Sequence, residues 1–348
     1  MTRESKGRDQ PIGLKRRRAI EPGDYADIAA TIVRRQTLLD VYRICREILA
    51  RVMPADNCFV ALEEGPDGLT FPYFVDEVDS ENSLEVYPRE GLAARVIAEG
   101  KTLLASAEKD FFAKADFIGQ PAEDWLGVPL VDRTGRPFGA LVTQTYEPAE
   151  RYSEEQVALA EFAAGQISLA VQFRAVDREM AVRGIAALVE ETADLDILYP
   201  GIHGLIAELI PAAAHSFIIA RIDRARGLFV PVYWKDSHED FDALRWGLSE
   251  GLSGYVCSGE GRSFVYQNGA TEPPSGYSLL GVQSSYWLGA PIKAGSEIIG
   301  IMMIQSYDDE SPLTKEDEQL MAAIAPSIGL AIARTEMLRR VRSGRPKA

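Results

Sequence analysis

Hydrophobic positions along the chain change period several times, and each change marks an element. Between Asp24 and Val52, Ile28, Ile32, Leu39, Ile44 and Ile48 recur at helical spacing, which predicts one amphipathic helix over that stretch. Pro54-Ala-Asp-Asn57 ends it. The runs "CFVALEE" and "LTFPYFVDE" then read as two strands joined by a "GPDG" turn, a hairpin. A short helix over Gly91–Glu99 follows, then a loop-rich crossing to the strands "WLGVPLV" and "FGALVTQTY", joined by "DRTGRP". Ser153-Glu-Glu-Gln156 has capping-box spacing and opens a long helix.

The same order is then repeated. A helix ends near Pro211, "HSFIIARI" and "LFVPVYW" pair, a helix starts at Gly251, "YWLGAPI" and "IIGIMMIQSY" pair, and Thr314-x-x-Asp317 opens the last helix. Gly91-Leu-Ala-Ala-Arg-Val matches Gly251-Leu-Ser-Gly-Tyr-Val, Trp125 matches Trp287, Gly139 matches Gly300 and Gln144 matches Gln305, at offsets of 160 to 162 residues. So constant an offset means a duplicated domain and excludes a solenoid of short repeats. Helix, hairpin, helix, hairpin, helix, without regular βαβ alternation, predicts an α+β fold of two antiparallel sheets with flanking helices.

The "GL(A/S)xxV" helix start, the "WLGxP(L/I)" strand, the "GxxxxQ(T/S)Y" strand and the "(Y/L)(S/T)" entry to a closing helix resemble the GAF domain family, in tandem over roughly residues 25–342. The resemblance implies small-molecule-sensing and dimerisation modules of signalling proteins. Each would have a six-stranded antiparallel sheet, helices on one side and a ligand pocket on the other. The expected organisation is a disordered basic tail at 1–22, a first domain at 23–175, a connecting helix at 176–192, a second domain at 193–335 and a basic tail at 336–348.

Charge narrows the partners. The net charge is −15, although residues 1–20 hold seven Lys/Arg against two Asp/Glu and residues 335–348 hold five against one. The body is therefore strongly acidic, which opposes nucleic acid or an anionic membrane as the main partner. No run of about 18 apolar residues and no signal-peptide pattern occurs, and a cytoplasmic protein is expected. Cys45, Cys58 and Cys257 have neither disulfide nor zinc spacing and fit a reducing compartment.

Candidate chemistry points away from catalysis. The three histidines, His203, His215 and His238, all lie in the second copy, so no function common to both copies can depend on them. Phosphate-loop, dinucleotide-fingerprint and nucleophile-elbow motifs are missing, and no cofactor or metal is expected. Cyclic-nucleotide-binding GAF relatives carry Asn-Lys where this chain has Gln144-Thr145 and Gln305-Ser306. The second copy keeps Leu313-x-x-x-Asp317-Glu318, while the first has Tyr152-x-x-x-Gln156-Val157, so the Lys–Asp brace of those relatives cannot form. No Cys precedes His as in bilin-carrying relatives, and Cys58 within "DNCF" reads as a small buried hydrophobe. The cysteines are not clustered as in methionine sulfoxide reductase relatives.

What remains is a pocket in one or both copies. Its candidate walls are Phe71, Tyr73, Trp125, Gln144 and Tyr146 in the first, and Phe229, Tyr233, Trp234, Trp287, Gln305 and Tyr307 in the second. The same aromatics serve equally as core, their polar tips bonding to backbone, so both readings stay open. Asp76-Glu77 aligned with Lys235-Asp236 gives the two rims different charge.

The helix from Ser153 to about Glu191 spans roughly 55 to 60 Å at 1.5 Å per residue. Leu169, Phe173, Val176 and Met180 follow the spacing of a coiled-coil seam, and Ile324, Ile328, Ala331 and Leu338 continue the theme on the last helix. A parallel homodimer through both helices is expected, acting on a signalling partner such as a kinase, a cyclase or a transcription factor. A ligand-free dimerisation scaffold is the alternative, with a redox enzyme third.

Overall fold

The computed structural model describes residues 17–33, 37–66, 68–79, 85–105, 121–238, 245–258, 261–308 and 311–343. Two compact units divide the chain, Met1–Gln172 and Phe173–Ala348.

In the first unit α1 (Pro22–Val33) and α2 (Leu38–Val52) stand where a single helix was expected. The break has a local cause. Thr37 is an extended N-cap whose hydroxyl accepts from the Asp40 N–H, while the Asp40 carboxylate accepts from the Thr37 N–H. This capping box starts a new helix and stops the old one from running through. Then come β1 (Asn57–Glu64), β2 (Gly68–Val75), β3 (Tyr87–Pro88), α3 (Gly91–Glu99), β4 (Leu103–Leu104), β5 (Asp124–Val131) and β6 (Pro137–Thr145). The strands form one antiparallel sheet in the order β3-β2-β1-β6-β5-β4.

Alternation divides the core between the sheet faces. Cys58, Val60 and Leu62 of β1 pack with Cys45, Leu49, Leu159 and Ile167 of α2 and of α4 (Glu154–Glu191). The intervening Phe59 and Ala61 pack with α3, Trp125 and Val142. Ala160, Ala163 and Ala164 let α4 approach the sheet closely, and its start carries the expected box, the Ser153 and Gln156 side chains each accepting the other's N–H.

The second unit repeats the plan with α5 (Leu195–Ala207), β7 (Ser216–Asp223), β8 (Leu228–Asp236), β9 (Trp246–Gly247), α6 (Gly251–Cys257), β10 (Phe264–Gln267), β11 (Tyr286–Ala294), β12 (Glu297–Ser306) and α7 (Lys315–Ser343). Its strand order, β10-β11-β12-β7-β8-β9, is that of the first sheet read from the other edge.

Both copies contain a proline bulge. Phe71 and Pro72 together oppose Ala61, and β8 slips by one residue between Pro231 and Tyr233. Proline lacks the N–H that a regular ladder needs, so an extra residue is accommodated beside it. The strand opposite each bulge presses its own carbonyl on its other neighbour. A Cβ on Gly139 would lie 2.6 Å from the Ala61 oxygen, and one on Gly300 2.5 Å from the Ala220 oxygen, which accounts for a glycine at that place in both copies.

Several expectations about chain ends and helix faces change. The distal ends of the two basic tails, 1–16 and 344–348, lie outside the described residues. Residues 17–22 are not a loose tail: the Arg17 guanidinium meets Asp56 at 2.8 Å and Glu150 at 3.0 Å, and α1 begins at Pro22. Likewise α7 runs through 336–343, well into the expected C-terminal tail. Ile324, Ile328 and Ala331 are buried inside their own domain, so they do not form an outward seam. The reason is packing: α7 lies on β11 so closely that a Cβ on Gly329 would sit 1.9 Å from the Lys293 oxygen. Outward positions of α7 are instead Leu330, Met337, Leu338 and Val341. On α4 the stripe does face outward, with Leu169, Phe173, Val176 and Met180 exposed by 39, 55, 44 and 65%. The segment Lys315–Arg339 is long and apolar enough to span a membrane, but half of its apolar window is buried in the protein.

Candidate functional site

The repeated Trp-Leu-Gly is built by strand geometry. Side chains two apart share a sheet face, and here the indole folds back over the glycine that follows. A Cβ on Gly127 would lie 2.3 Å from Trp125 Cη2, and one on Gly289 2.1 Å from Trp287 Cη2. The motif therefore lays a flat indole on the face away from the main helices, in both domains.

What surrounds that indole differs between the copies. In the first domain Phe59 stacks on Phe74 at 5.1 Å, and Phe71 meets Phe59, Phe74 and Tyr87 edge-on at 5.4 to 6.0 Å. Gln144 is tied down beside them, its amide donating to Asp76 Oδ2 at 2.6 Å and to the Tyr146 hydroxyl at 2.8 Å. Tyr146 also donates to Asp76, and burial, reinforced by the Asp76 charge, pushes the phenol pKa up.

In the second domain the register places Ile218 where Phe59 stands, Trp234 where Phe74 stands and Tyr266 where Ala105 stands. A cavity of about 280 Å³ opens on this face. Its floor is Ile218, Trp234, Trp287, Met303 and Gln305, one side is Trp246 and the α6 start from Glu250 to Ser253, and the other is Tyr266 with the Leu279–Ser284 loop. Trp246 is fixed by stacking on Phe229 at 5.4 Å and by donating its Nε1 proton to Ser253 Oγ at 2.6 Å. Gly251 adopts φ +64°, a left-handed turn that starts α6 at the cavity edge and explains the second repeated glycine.

Electrostatically the cavity is quiet. Gln305 is only 9% exposed, and among the described residues its amide has no hydrogen-bonding partner. Tyr307 still donates to Asp236 at 3.0 Å, the counterpart of the Tyr146–Asp76 bond, but Gln305 does not join that pair. Ser284, also buried, has no side-chain partner among the described residues either. Arg245 stands exposed at the mouth without an ion pair among them, and Glu250 there accepts the Gly247 N–H at 2.8 Å.

The expected walls are therefore partly redistributed. Trp234, Trp287 and Gln305 line the cavity, while Phe229 supports it from behind Trp246. Tyr307 stands aside, stacked on His238 at 3.9 Å. Tyr73 and Tyr233 are corrections: Tyr73 packs in the helix-side core, and the Tyr233 hydroxyl meets His203 Nδ1 at 2.8 Å. The proline bulges shift the alternation by one, which turns both tyrosines to the far face and brings Phe74 and Trp234 round instead. The rim alignment also changes, because Asp236 and not Lys235 is the structural partner of Asp76. Trp246, Tyr266, Arg245 and the Leu279–Ser284 loop were not anticipated. Proline in "LFVPVYW" is the sequence signal that would have corrected the phase of Tyr233 and Trp234.

The retained Asp317 now does a capping task. It accepts from the Thr314 N–H and hydroxyl at 2.9 and 2.8 Å, with Arg178 of α4 at 4.0 Å. Burial raises its pKa against these stabilising contacts. His203 is satisfied on both nitrogens, its Nε2 facing the Ala213 carbonyl at 2.8 Å. Burial pushes the thiols of Cys45, Cys58 and Cys257 up to about 12.

Comparison with known proteins agrees with this architecture. A family model described as "GAF domain" matches residues 36–172 and again 192–333. The chain belongs to the GAF domain family, with two such domains in tandem, an arrangement typical of signalling and sensory proteins. No curated protein matches it. Among solved structures it is similar to the GAF domain of a phosphoenolpyruvate-protein phosphotransferase from Coxiella burnetii, at 20% identity over 47% of this chain and 98% of that one, with a TM-score of 0.40. A methyl-accepting chemotaxis protein is similar at 16% identity over 44% and 98%, with a TM-score of 0.37. A bacteriophytochrome from R. palustris is similar at 12% identity over 97% and 78%, with a TM-score of 0.36.

Proposed function

We propose that this protein is a non-catalytic cytoplasmic regulator whose second GAF domain senses a small molecule, while in the first domain the described residues of the corresponding face pack on one another. One observation carries the reading: the same glutamine is bonded to protein at Gln144 and lacks a protein partner at Gln305, where it faces a cavity. The Gln305 amide is open to the cavity, where a bound ligand with a matching donor or acceptor can take the place of water. The high thiol pKa values and satisfied His203 support a role without nucleophilic catalysis.

The exposed stripe Leu169, Phe173, Val176 and Met180 supports dimerisation through α4 with a second copy of the chain, and through the pair, control of a kinase, cyclase or transcription factor. Native mass spectrometry of the freshly purified chain tests both parts. The expected result is a dimer, with a co-purified mass that is lost on denaturation and absent from Gln305→Leu. A monomer at tens of micromolar by analytical ultracentrifugation refutes the dimer. A Gln305→Leu protein that keeps full ligand binding refutes the site.

A further inference from the structure

Resting on that reading of the second-domain cavity, we infer that its ligand is a small aromatic carboxylate: a planar ring with a short acidic arm. Size sets the first limit. A cavity of about 150 Å³ takes benzene, so one of about 280 Å³ has room for a ring, or a fused pair of rings, with a short substituent. It sits at the small end of ligand pockets, and its open mouth leaves room for a substituent to reach outward.

The walls favour a planar ring. Trp234, Trp246, Trp287 and Tyr266 all line the space, and two of the indoles are held flat by contacts of their own, Trp287 over Gly289 and Trp246 on Phe229. Rigid aromatic faces reward a ring that stacks or meets them edge-on. The corresponding face of the first domain supplies such rings from the protein itself, Phe59 against Phe74 and Phe71. In the second domain Ile218 stands in place of Phe59, leaving a ring-sized demand to be met from outside.

The unmatched polar groups set the charge. Gln305 and Ser284 in the interior offer neutral donors and acceptors, suited to a ring N–H, hydroxyl or carbonyl. Arg245 at the mouth is a cation without an ion pair among the described residues, and its counterpart in the first domain is the apolar Val86. Four aromatic walls could equally cage an organic cation, but Glu250 at the mouth already accepts the Gly247 N–H, whereas the Arg245 guanidinium has no ion pair among the described residues and opposes a cation there. An anionic arm reaching the mouth meets the guanidinium in a charge-assisted hydrogen bond and leaves the ring inside.

Isothermal titration of the full chain with a matched set decides this: indole-3-acetate, indole-3-acetamide, tryptamine and cyclohexylacetate. The expected order puts indole-3-acetate about 10- to 100-fold tighter than its amide, the range of one charge-assisted hydrogen bond. Arg245→Gln should erase that preference without changing the amide's affinity, and Gln305→Leu should weaken both. Amide or amine binding as tightly as the acid overturns the anionic assignment, and cyclohexylacetate binding as tightly overturns the aromatic one. If none of the four binds, a ligand-observed NMR fragment screen separates the two failures. Hits lost in Gln305→Leu keep the sensing site and overturn the ligand class, whereas no such hit overturns both.

Discussion

Replacing the two equivalent glutamines by leucine should give unequal results, although side-chain volume changes little in either case. Gln144 donates to Asp76 at 2.6 Å and to Tyr146 at 2.8 Å. A hydrogen bond to a charged group is worth about 1.5–3 kcal/mol net and a neutral one about 0.5–1.5. Asp76 is half-buried and keeps its bond from Tyr146, so it partly rehydrates when the amide leaves, and the sum must be discounted. Gln144→Leu should therefore cost about 1–3 kcal/mol. Gln305 loses no protein bond, and exchanging an amide that faces the cavity for an apolar group should change stability by less than about 1 kcal/mol. Hydrogen exchange along a urea series, read on peptides from β6 and β12, assigns each change to its own domain. Equal destabilisation by both substitutions would mean that Gln305 is bonded within the protein, and the distinction between the two domains would fall.

Two helical glycines give a second pair of contrasting outcomes. Gly329→Ala forces a Cβ to 1.9 Å from a backbone oxygen, which no rotamer relieves, and should cost about 2–3 kcal/mol in thermal or urea melts. Gly204→Ala, on α5 with nothing within 4 Å, should stabilise by about 0.5–1 kcal/mol, and equal effects at the two sites would refute the packing of α7 on β11. The thiols predict a pH dependence. Their folded pKa of about 12 lies above an unfolded value near 8.5, so the folded chain holds more protons above that pH. Their contribution to stability is full below about pH 8.5 and is lost as pH rises toward 12. Thiol reagents at pH 8 should label Cys45 and Cys58 of the native protein only at its opening rate, and rapid labelling of either would contradict their burial.

The duplication and the sheet order were legible because they rest on residues that geometry requires at fixed places. Glycine must follow two after the tryptophan, since the indole lies where its Cβ would be. Glycine must also stand against the carbonyls of Ala61 and Ala220, at 139 and 300. The Ser153 and Thr314 boxes announced their helices for the same reason. The division between α1 and α2 was equally available in Thr37-Leu-Leu-Asp40, but the apolar period continues across it and hid the stop. Face assignments failed where period-two counting crossed Pro72 or Pro231. The seam on α7 failed differently: helical spacing identifies a stripe, and only the tertiary contact with β11 decides whether that stripe is covered.

The site was less legible than the fold, and the cause lies in how the two copies diverge. Trp125 and Trp287 recur because the strand needs an indole over the following glycine, whereas Gln144 and Gln305 recur with different tasks, one bonded within the protein and one facing the cavity. The cavity arises from positions where the copies disagree: Ile218 against Phe59 makes room, Tyr266 against Ala105 adds a wall, and Arg245 against Val86 adds a charge. Each exchange is unremarkable alone, since isoleucine and phenylalanine are both ordinary core residues on a strand. Only the sheet register shows that the exchanges converge on one face, around a glutamine that the first copy has already bonded and the second has not. In a duplicated sensor, the positions to mutate first are therefore those that an internal alignment would discard as noise.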